Sequence, residues 1–159
     1  MLTHAHAAAT PRPAPPNLLP QPPEPWAALL DSLGAIEDEG QIIVLGRDGP
    51  DLMCALLRAG ASQVMHLCSH ERLEAEIASL LIVPQVPTLD WLEGALSPIR
   101  RALIANGRLA ICVDPSPTTQ NRVRRMLALH GFSSMRASRA AGRQVLRAEV
   151  PAFSLRQCA

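Results

Sequence analysis

Three side chains that can bind a metal ion or act as nucleophiles alternate in one short segment, QVMHLCSH (63–70). If this segment is a strand, His66, Cys68 and His70 face the same side of it. A zinc site would need a fourth ligand, which the neighbouring sequence does not supply. An activated Cys68 thiol would need a group that orients its histidine. We therefore expect partly buried residues at a strand end here, and no bound metal.

Other spacings that could support catalysis have simpler explanations. Asp90 and Glu93 lie three residues apart in a predicted helix, which is typical of a cap or a solvated face. His4 and His6 form an HxH pair with no third ligand nearby. All 15 basic residues are arginine, which excludes a P-loop lysine and a Schiff-base lysine. The aromatic residues, 3% of the chain, are too few for a protein that stacks single-stranded bases.

The N-terminal region differs in composition from the rest of the chain. Eight of the 15 prolines lie between Pro11 and Pro25, and such a run favours extended, solvated backbone that cannot build a core. The sequence predicts a disordered tail over 1–25 and a single domain over 26–159. The first residues lack the features of a signal peptide, and the cysteines contain no CxxC pair, so we expect a reducing, cytoplasmic location.

The domain alternates helical and strand patterns. Short apolar runs predict parallel strands at 41–45, 63–68, 79–83 and 108–113. Helical spacing predicts helices from Trp26 to near Gly40, and over 50–59, 71–77, 89–105 and 118–130, with Asn106-Gly107 as a left-handed helix stop. Two last segments, 132–138 and 143–150, predict an antiparallel hairpin.

This alternation predicts an α/β fold, a three-layer sandwich with a mostly parallel sheet and a C-terminal antiparallel hairpin. In such sheets a ligand binds beyond the carboxyl ends of the strands. Those ends are Leu45-Gly46-Arg47-Asp48-Gly49, Cys68-Ser69-His70 and Pro84-Gln85-Val86-Pro87.

Three segments resemble class I S-adenosylmethionine methyltransferases. LIVPQVPTLDWLEGALSPIRRALIANGRLAICV (81–113) resembles the family's fourth strand, the following helix and the entry to the fifth strand. IIVLGRDGPDLMCALLRAGA (42–61) resembles the first strand, glycine loop and next helix, and 127–150 resembles the final helix and hairpin. The resemblance implies a Rossmann-type sheet and S-adenosylmethionine as cofactor. The cofactor-binding residues it implies are Gly46, Asp48, Gly49, Cys68, Ser69 and Gln85.

The cofactor motifs of that family are altered here. Where the family's first loop resembles D-x-G-x-G-x-G, Val44 takes the acidic position, and Asp48 and Pro50 replace glycines. Cys68 stands where an acidic residue normally binds the ribose hydroxyls, and each hydrogen bond to such a charge contributes roughly 1.5–3 kcal/mol. Pro84-Gln85-Val86-Pro87 replaces the N-P-P-Y or D-P-P-Y segment. The stretch from Cys68 to the next strand is too short for the family's extra strand and helix.

Two functional hypotheses follow. The altered motifs favour a methyltransferase-like interaction module that is non-catalytic or binds its cofactor weakly. The contiguous resemblance over 81–113 favours the alternative, a minimal methyltransferase with a small-molecule or macromolecular acceptor. A nicotinamide-binding domain is disfavoured, because no GxGxxG follows the first strand.

Charge is distributed unevenly along the chain. Residues 1–95 carry 12 acidic residues and 4 arginines, whereas 96–159 carry 11 arginines and 2 acidic residues. The C-terminal elements are therefore predicted to form an arginine-rich edge that binds an acidic protein or another anionic partner. Association of one copy's edge with the acidic half of another copy, giving a homo-oligomer, is a further possibility. The predicted anion-binding residues are Arg122, Arg125, Arg139, Arg143 and Arg147.

Overall fold

A computed structural model describes residues 26–152 of the chain, so the predicted disorder of 1–25 lies outside the described residues. The helices are α1 (Ala27–Leu33), α2 (Gly49–Arg58), α3 (Leu89–Ala102) and α4 (Pro117–Leu129). The strands are β1 (Gln41–Leu45), β2 (Gln63–Leu67), β3 (Ala78–Val83), β4 (Leu103–Val113), β5 (Ser133–Ala140) and β6 (Arg143–Glu149). No helix within 26–152 is long and apolar enough to cross a membrane.

The strands form one sheet in the order β2-β1-β3-β4-β6-β5. The first four strands are parallel, and β6 runs antiparallel between β4 and β5. The predicted α/β class, with a mostly parallel sheet and a closing hairpin, is confirmed. β1 and β3 lie in the middle of the parallel part, which explains why their sequences are almost continuously apolar.

The two faces of the sheet pack against different helices. In β1, Ile43 and Leu45 join a cluster with α3 and α4, whereas Ile42 and Val44 join a cluster with α1 and α2. This alternation follows from the two-residue period of a strand. The sheet is therefore the middle of three layers. The helices cover its two faces, and loops follow the carboxyl ends of its parallel strands.

The predicted first helix is too long at its carboxyl end. α1 ends at Leu33, because Gly34 adopts a φ of 78°, a left-handed conformation that favours glycine. The chain then continues as a loop to β1. Ile36 completes the helical spacing in the sequence and is buried, but it reaches the core from this loop.

Two other helix predictions are wrong. The predicted helix over 71–77 is only a 3-10 turn at His70–Arg72. α3 ends at Ala102, not near residue 105, because the next residue, Leu103, pairs with Ala78 of β3. Asn106, with a φ of 61°, lies in an irregular stretch of β4, where the register jumps from Leu103 to Arg108.

Candidate functional site

The loops after β1, β2 and β3 meet at the carboxyl-terminal edge of the sheet. They surround a cavity of about 620 Å³, which lies within the usual size of a small-molecule site. The lining residues are Gly46, Arg47, Asp48, Cys68, Pro84, Gln85, Pro87 and Trp91. Four of the predicted cofactor residues, Gly46, Asp48, Cys68 and Gln85, thus come together here, and Gly49 and Ser69 are not among the lining residues.

Gly46 leaves its backbone open toward the cavity. Its φ of 123° requires glycine, and its N–H continues the β1–β2 pairing by donating to the Leu67 carbonyl at 2.9 Å. A methyl group added at Gly46 would meet nothing closer than the Gln85 carbonyl oxygen, at 4.0 Å. A ligand can therefore approach the chain closely at this first glycine.

The second glycine of the loop, Gly49, is used differently. The His66 ring covers it so closely that an added Cβ would lie 1.9 Å from the ring's Cδ2. His66 Nε2 is 2.6 Å from the Gly46 carbonyl oxygen, so this nitrogen must carry the hydrogen and donate it. His66 therefore braces the loop from within, and the room at Gly49 is filled by the protein's own side chain.

Cys68 and His70, the other two residues of the alternating His-Cys-His segment, do not belong to a cluster of possible metal ligands in the described part of the chain. Within residues 26–152 no group of three or more His, Cys, Asp or Glu side chains has the geometry for one. Cys68 is exposed at the end of β2. His70 packs edge-on against Trp91, with ring centroids 5.7 Å apart. Ser69 caps the 3-10 turn by accepting the Glu71 N–H at 3.3 Å, which explains its absence from the cavity.

Trp91 is the lining residue that sequence reasoning missed. It sits in the first turn of α3, where the Thr88 hydroxyl accepts the Trp91 N–H at 3.1 Å and caps the helix. A signal was present, because Thr88 after the proline loop is a typical helix N-cap and so places Trp91 in the first turn of the helix that follows β3. The ring adds a flat apolar surface to a site that is otherwise lined by loops.

The crevice extends from this cavity toward β4 and β6. A neighbouring cavity of about 320 Å³ shares Gln85 and Pro87 with it, and a third of about 290 Å³ shares Asp48. Both neighbours are lined by Cys112 and Arg143. Arg143 Nη1 donates to the Pro84 carbonyl at 3.0 Å, so one of the predicted anion-binding arginines lies in the crevice.

The five predicted anion-binding arginines do not share one surface. Arg122 and Arg125 lie on α4. Arg147 lies on the other side of the sheet, where it donates to the Ser32 carbonyl of α1. Arg139 pairs with Gln144, which lies three residues before Arg147 on β6. An odd spacing along a strand places side chains on opposite faces, so Arg139 points away from the Arg147 face. Binding of one anion by all five arginines remains a prediction. Their positions on different surfaces argue against it.

Burial changes the chemistry of one thiol in the crevice. Cys112 is buried, and desolvation raises its pKa to about 11, although the Arg143 charge acts in the opposite direction. The thiolate is the reactive form of cysteine. Cys112 therefore forms a small apolar part of the wall, and this pKa keeps its thiol protonated at neutral pH.

The comparisons with known proteins identify the fold. No protein-family model and no curated protein matches the chain. A solved Methanococcus maripaludis protein, described as a candidate S-adenosyl-L-methionine-dependent methyltransferase, aligns with a TM-score of 0.63 and 13% identity over 83% of this chain and 87% of that one.

Two further solved structures contain S-adenosylhomocysteine (SAH). The 1,6-didemethyltoxoflavin-N1-methyltransferase of Burkholderia thailandensis, solved with S-adenosylhomocysteine, aligns with a TM-score of 0.58 and 17% identity over 80% of this chain and 76% of that one. PigF with SAH aligns with a TM-score of 0.60 and 14% identity over 75% of this chain, which spans about half (52%) of PigF. Residues 26–152 therefore have a class I methyltransferase-like α/β fold.

Proposed function

We propose that the chain is a methyltransferase-like interaction module that binds S-adenosylmethionine weakly and does not use it for efficient methyl transfer. When bound, this cofactor supplies an electrophilic methyl group on a positively charged sulfur. The observation that carries the proposal is at the end of β2, where a cysteine, Cys68, faces the cavity and offers no carboxylate for the ribose hydroxyls.

The glycine loop supports the same conclusion. In the resembled family both the first and later glycines give the cofactor access to backbone. Here Gly46 is open, the two later glycine positions hold Asp48 and Pro50, and the His66 ring occupies the space at Gly49 between them. The loop is held in this form by the hydrogen bond from His66 to the Gly46 carbonyl. One of the three glycine positions of the motif is thus open to a ligand, and the other two carry side chains.

The remaining features fit a weakly held cofactor. The cavity is large enough for a small molecule, and Trp91 gives it an apolar surface. Arg47 and Asp48, the two charged residues among those lining it, match in sign the carboxylate and ammonium of the cofactor's amino-acid end. Because both are exposed, each contact is weakened by solvent.

Isothermal titration of the full chain with S-adenosylmethionine and S-adenosylhomocysteine tests the proposal. We expect dissociation constants in the high-micromolar range or weaker, since a lost charged hydrogen bond weakens binding about tenfold. Cys68→Asp should tighten binding about tenfold. The matched control is Cys54→Asp, which places the same charge on an exposed position of α2. This variant should leave both dissociation constants unchanged. Sub-micromolar affinity of the unmodified chain would contradict the proposal.

The alternative is a minimal methyltransferase, and the continuous crevice favours it. The cavities lined by Cys112 and Arg143 adjoin the cofactor cavity and would hold an acceptor beside it. The minimal methyltransferase alternative is tested by measuring the formation of S-adenosylhomocysteine from S-adenosylmethionine, with small amines, phenols and RNA as acceptors. Turnover above the rate without acceptor, abolished by blocking Gly46 with Gly46→Val, would establish this alternative.

A further inference from the structure

A further polar cavity lies on the α1 side of the sheet, away from the crevice. It measures about 160 Å³, below the usual size of a small-molecule site, and so suits a single chemical group. Its charged lining comes from three adjacent strands, with Arg108 on β4, Arg147 and Glu149 on β6, and Arg136 on β5. Three guanidinium groups therefore face one carboxylate around this small space.

Sheet register places two of these positive charges opposite each other. Arg136 pairs directly with Arg147 across β5 and β6, and like charges in directly opposed positions destabilise a sheet. Glu149 lies opposite Arg108 in the β4–β6 register, and within residues 26–152 its carboxylate forms no ion pair with Arg136 or Arg147. Arg108 is also paired with Glu39, which precedes β1. The excess positive charge is thus concentrated at Arg136 and Arg147.

The hydrogen-bonding capacity at the cavity is only partly used. Arg147 Nη1 donates to the Ser32 carbonyl, and Arg108 Nη1 donates to the Leu33 carbonyl at 3.1 Å. The Nε of Arg147 is buried without an acceptor. Within residues 26–152 the Arg136 guanidinium has no hydrogen-bond or ion-pair partner. A buried donor without an acceptor is costly, and an anion bound in the cavity would accept from this donor and from the unpaired Arg136 guanidinium.

We propose that this cavity binds one phosphate group, either inorganic phosphate or the terminal phosphate of a small phosphomonoester. A tetrahedral oxyanion presents oxygens in several directions and can accept from guanidinium groups on different strands, whereas a carboxylate matches a single fork. Bound phosphate removes the repulsion between Arg136 and Arg147. The site is independent of S-adenosylmethionine, because none of its residues lines the crevice.

Thermal unfolding of the full chain in inorganic phosphate, against chloride at equal ionic strength, tests the proposal. We expect the Tm to rise with the logarithm of the phosphate concentration, by about 3–8 °C at ten times the dissociation constant. Arg136→Gln should abolish this rise and should not lower the Tm in chloride, because it removes a like-charge contact. The matched control is Arg139→Gln, on the same strand but the other face, which should keep the full rise.

Further arms distinguish the source of the phosphate. Glycerol phosphate should reproduce the Arg136-dependent rise if a phosphomonoester is accepted, and inorganic phosphate alone should produce it if only the free ion fits. Acetate should produce none. The proposal is overturned if phosphate acts no better than chloride, if Arg136→Gln keeps the rise, or if only an oligonucleotide without terminal phosphates stabilises the protein. That last result would indicate a polyanion surface.

Discussion

His66 and Gly49 occupy adjoining space, and each constrains what the other position can be. A Cβ at Gly49 would lie 1.9 Å from the His66 ring, so Gly49→Ala must displace the ring and its hydrogen bond to Gly46. We expect Gly49→Ala to lower the free energy of unfolding by about 1–3 kcal/mol. Urea unfolding of the single and double variants with His66→Ala should show that the two losses are not additive.

The control for this substitution is Gly94→Ala in the middle of α3. A methyl group there meets nothing within 4 Å, and alanine is the better helix former by about 1 kcal/mol. Gly94→Ala should therefore raise stability slightly. Strict additivity of Gly49→Ala and His66→Ala would show that the ring and the glycine are not in contact.

Cys112 should make stability depend on pH in the alkaline range. Burial raises the pKa of its thiol from 9.0 to about 11, so the folded state keeps a proton that the unfolded state releases first. The stabilisation is complete below pH 9 and is lost as the pH rises to about 11, by at most about 2–3 kcal/mol. Urea unfolding across pH 8–11 should give a flatter profile for Cys112→Ala. An unchanged slope would contradict the assignment.

At the scale of elements, α1 depends on arginines from the sheet. It has seven residues and no side-chain cap at its start, too few to be stable alone. Arg108 and Arg147 donate to the carbonyls of its last turn. Arg108→Gln should therefore lower the hydrogen-exchange protection of 29–33 by about tenfold and leave α4 unchanged. The exposed Arg122→Gln is the control; equal loss in both variants would exclude the specific role.

Most elements could be predicted from local pattern, whereas the end of α3 depends on a distant partner. The runs in β1 and β3 are apolar enough to identify buried parallel strands without further information. The end of α3 could not be placed, because Leu103 belongs to a helix by spacing and to β4 by its pairing with Ala78. A partner 25 residues distant along the chain decides the outcome, and no local pattern contains it.

The candidate site could be predicted only in part for a similar reason. Parallel strands bring their carboxyl ends together, so the meeting of Gly46, Cys68 and Gln85 followed from the alternation of elements. The role of His66 did not follow. Its spacing with Cys68 and His70 suggests metal binding, whereas its actual partner is the carbonyl of Gly46, 20 residues earlier.

For the whole molecule, the boundary near residue 26 is the simplest prediction to test. Removal of 1–25 should leave the Tm within about 1–2 °C of the full chain, because a proline-rich segment of this composition adds little to a core. Removal of 1–33 takes away Leu29 and Leu33, both buried in the α1–α2 cluster, and should cost several kcal/mol. Differential scanning calorimetry of both chains checks this; a large loss from the shorter deletion would contradict it.

The position of β6 has a consequence during synthesis. β4 sits between β3 and β6, so its second edge is covered only by residues 143–149, which leave the ribosome last among the strands. Until then the apolar run Leu109–Val113 borders an open edge, and such edges template pairing with other chains. The parallel strand pairs of the sheet also join residues that are distant in sequence. The chain should therefore fold slowly for its length. Its yield on refolding should fall as protein concentration rises.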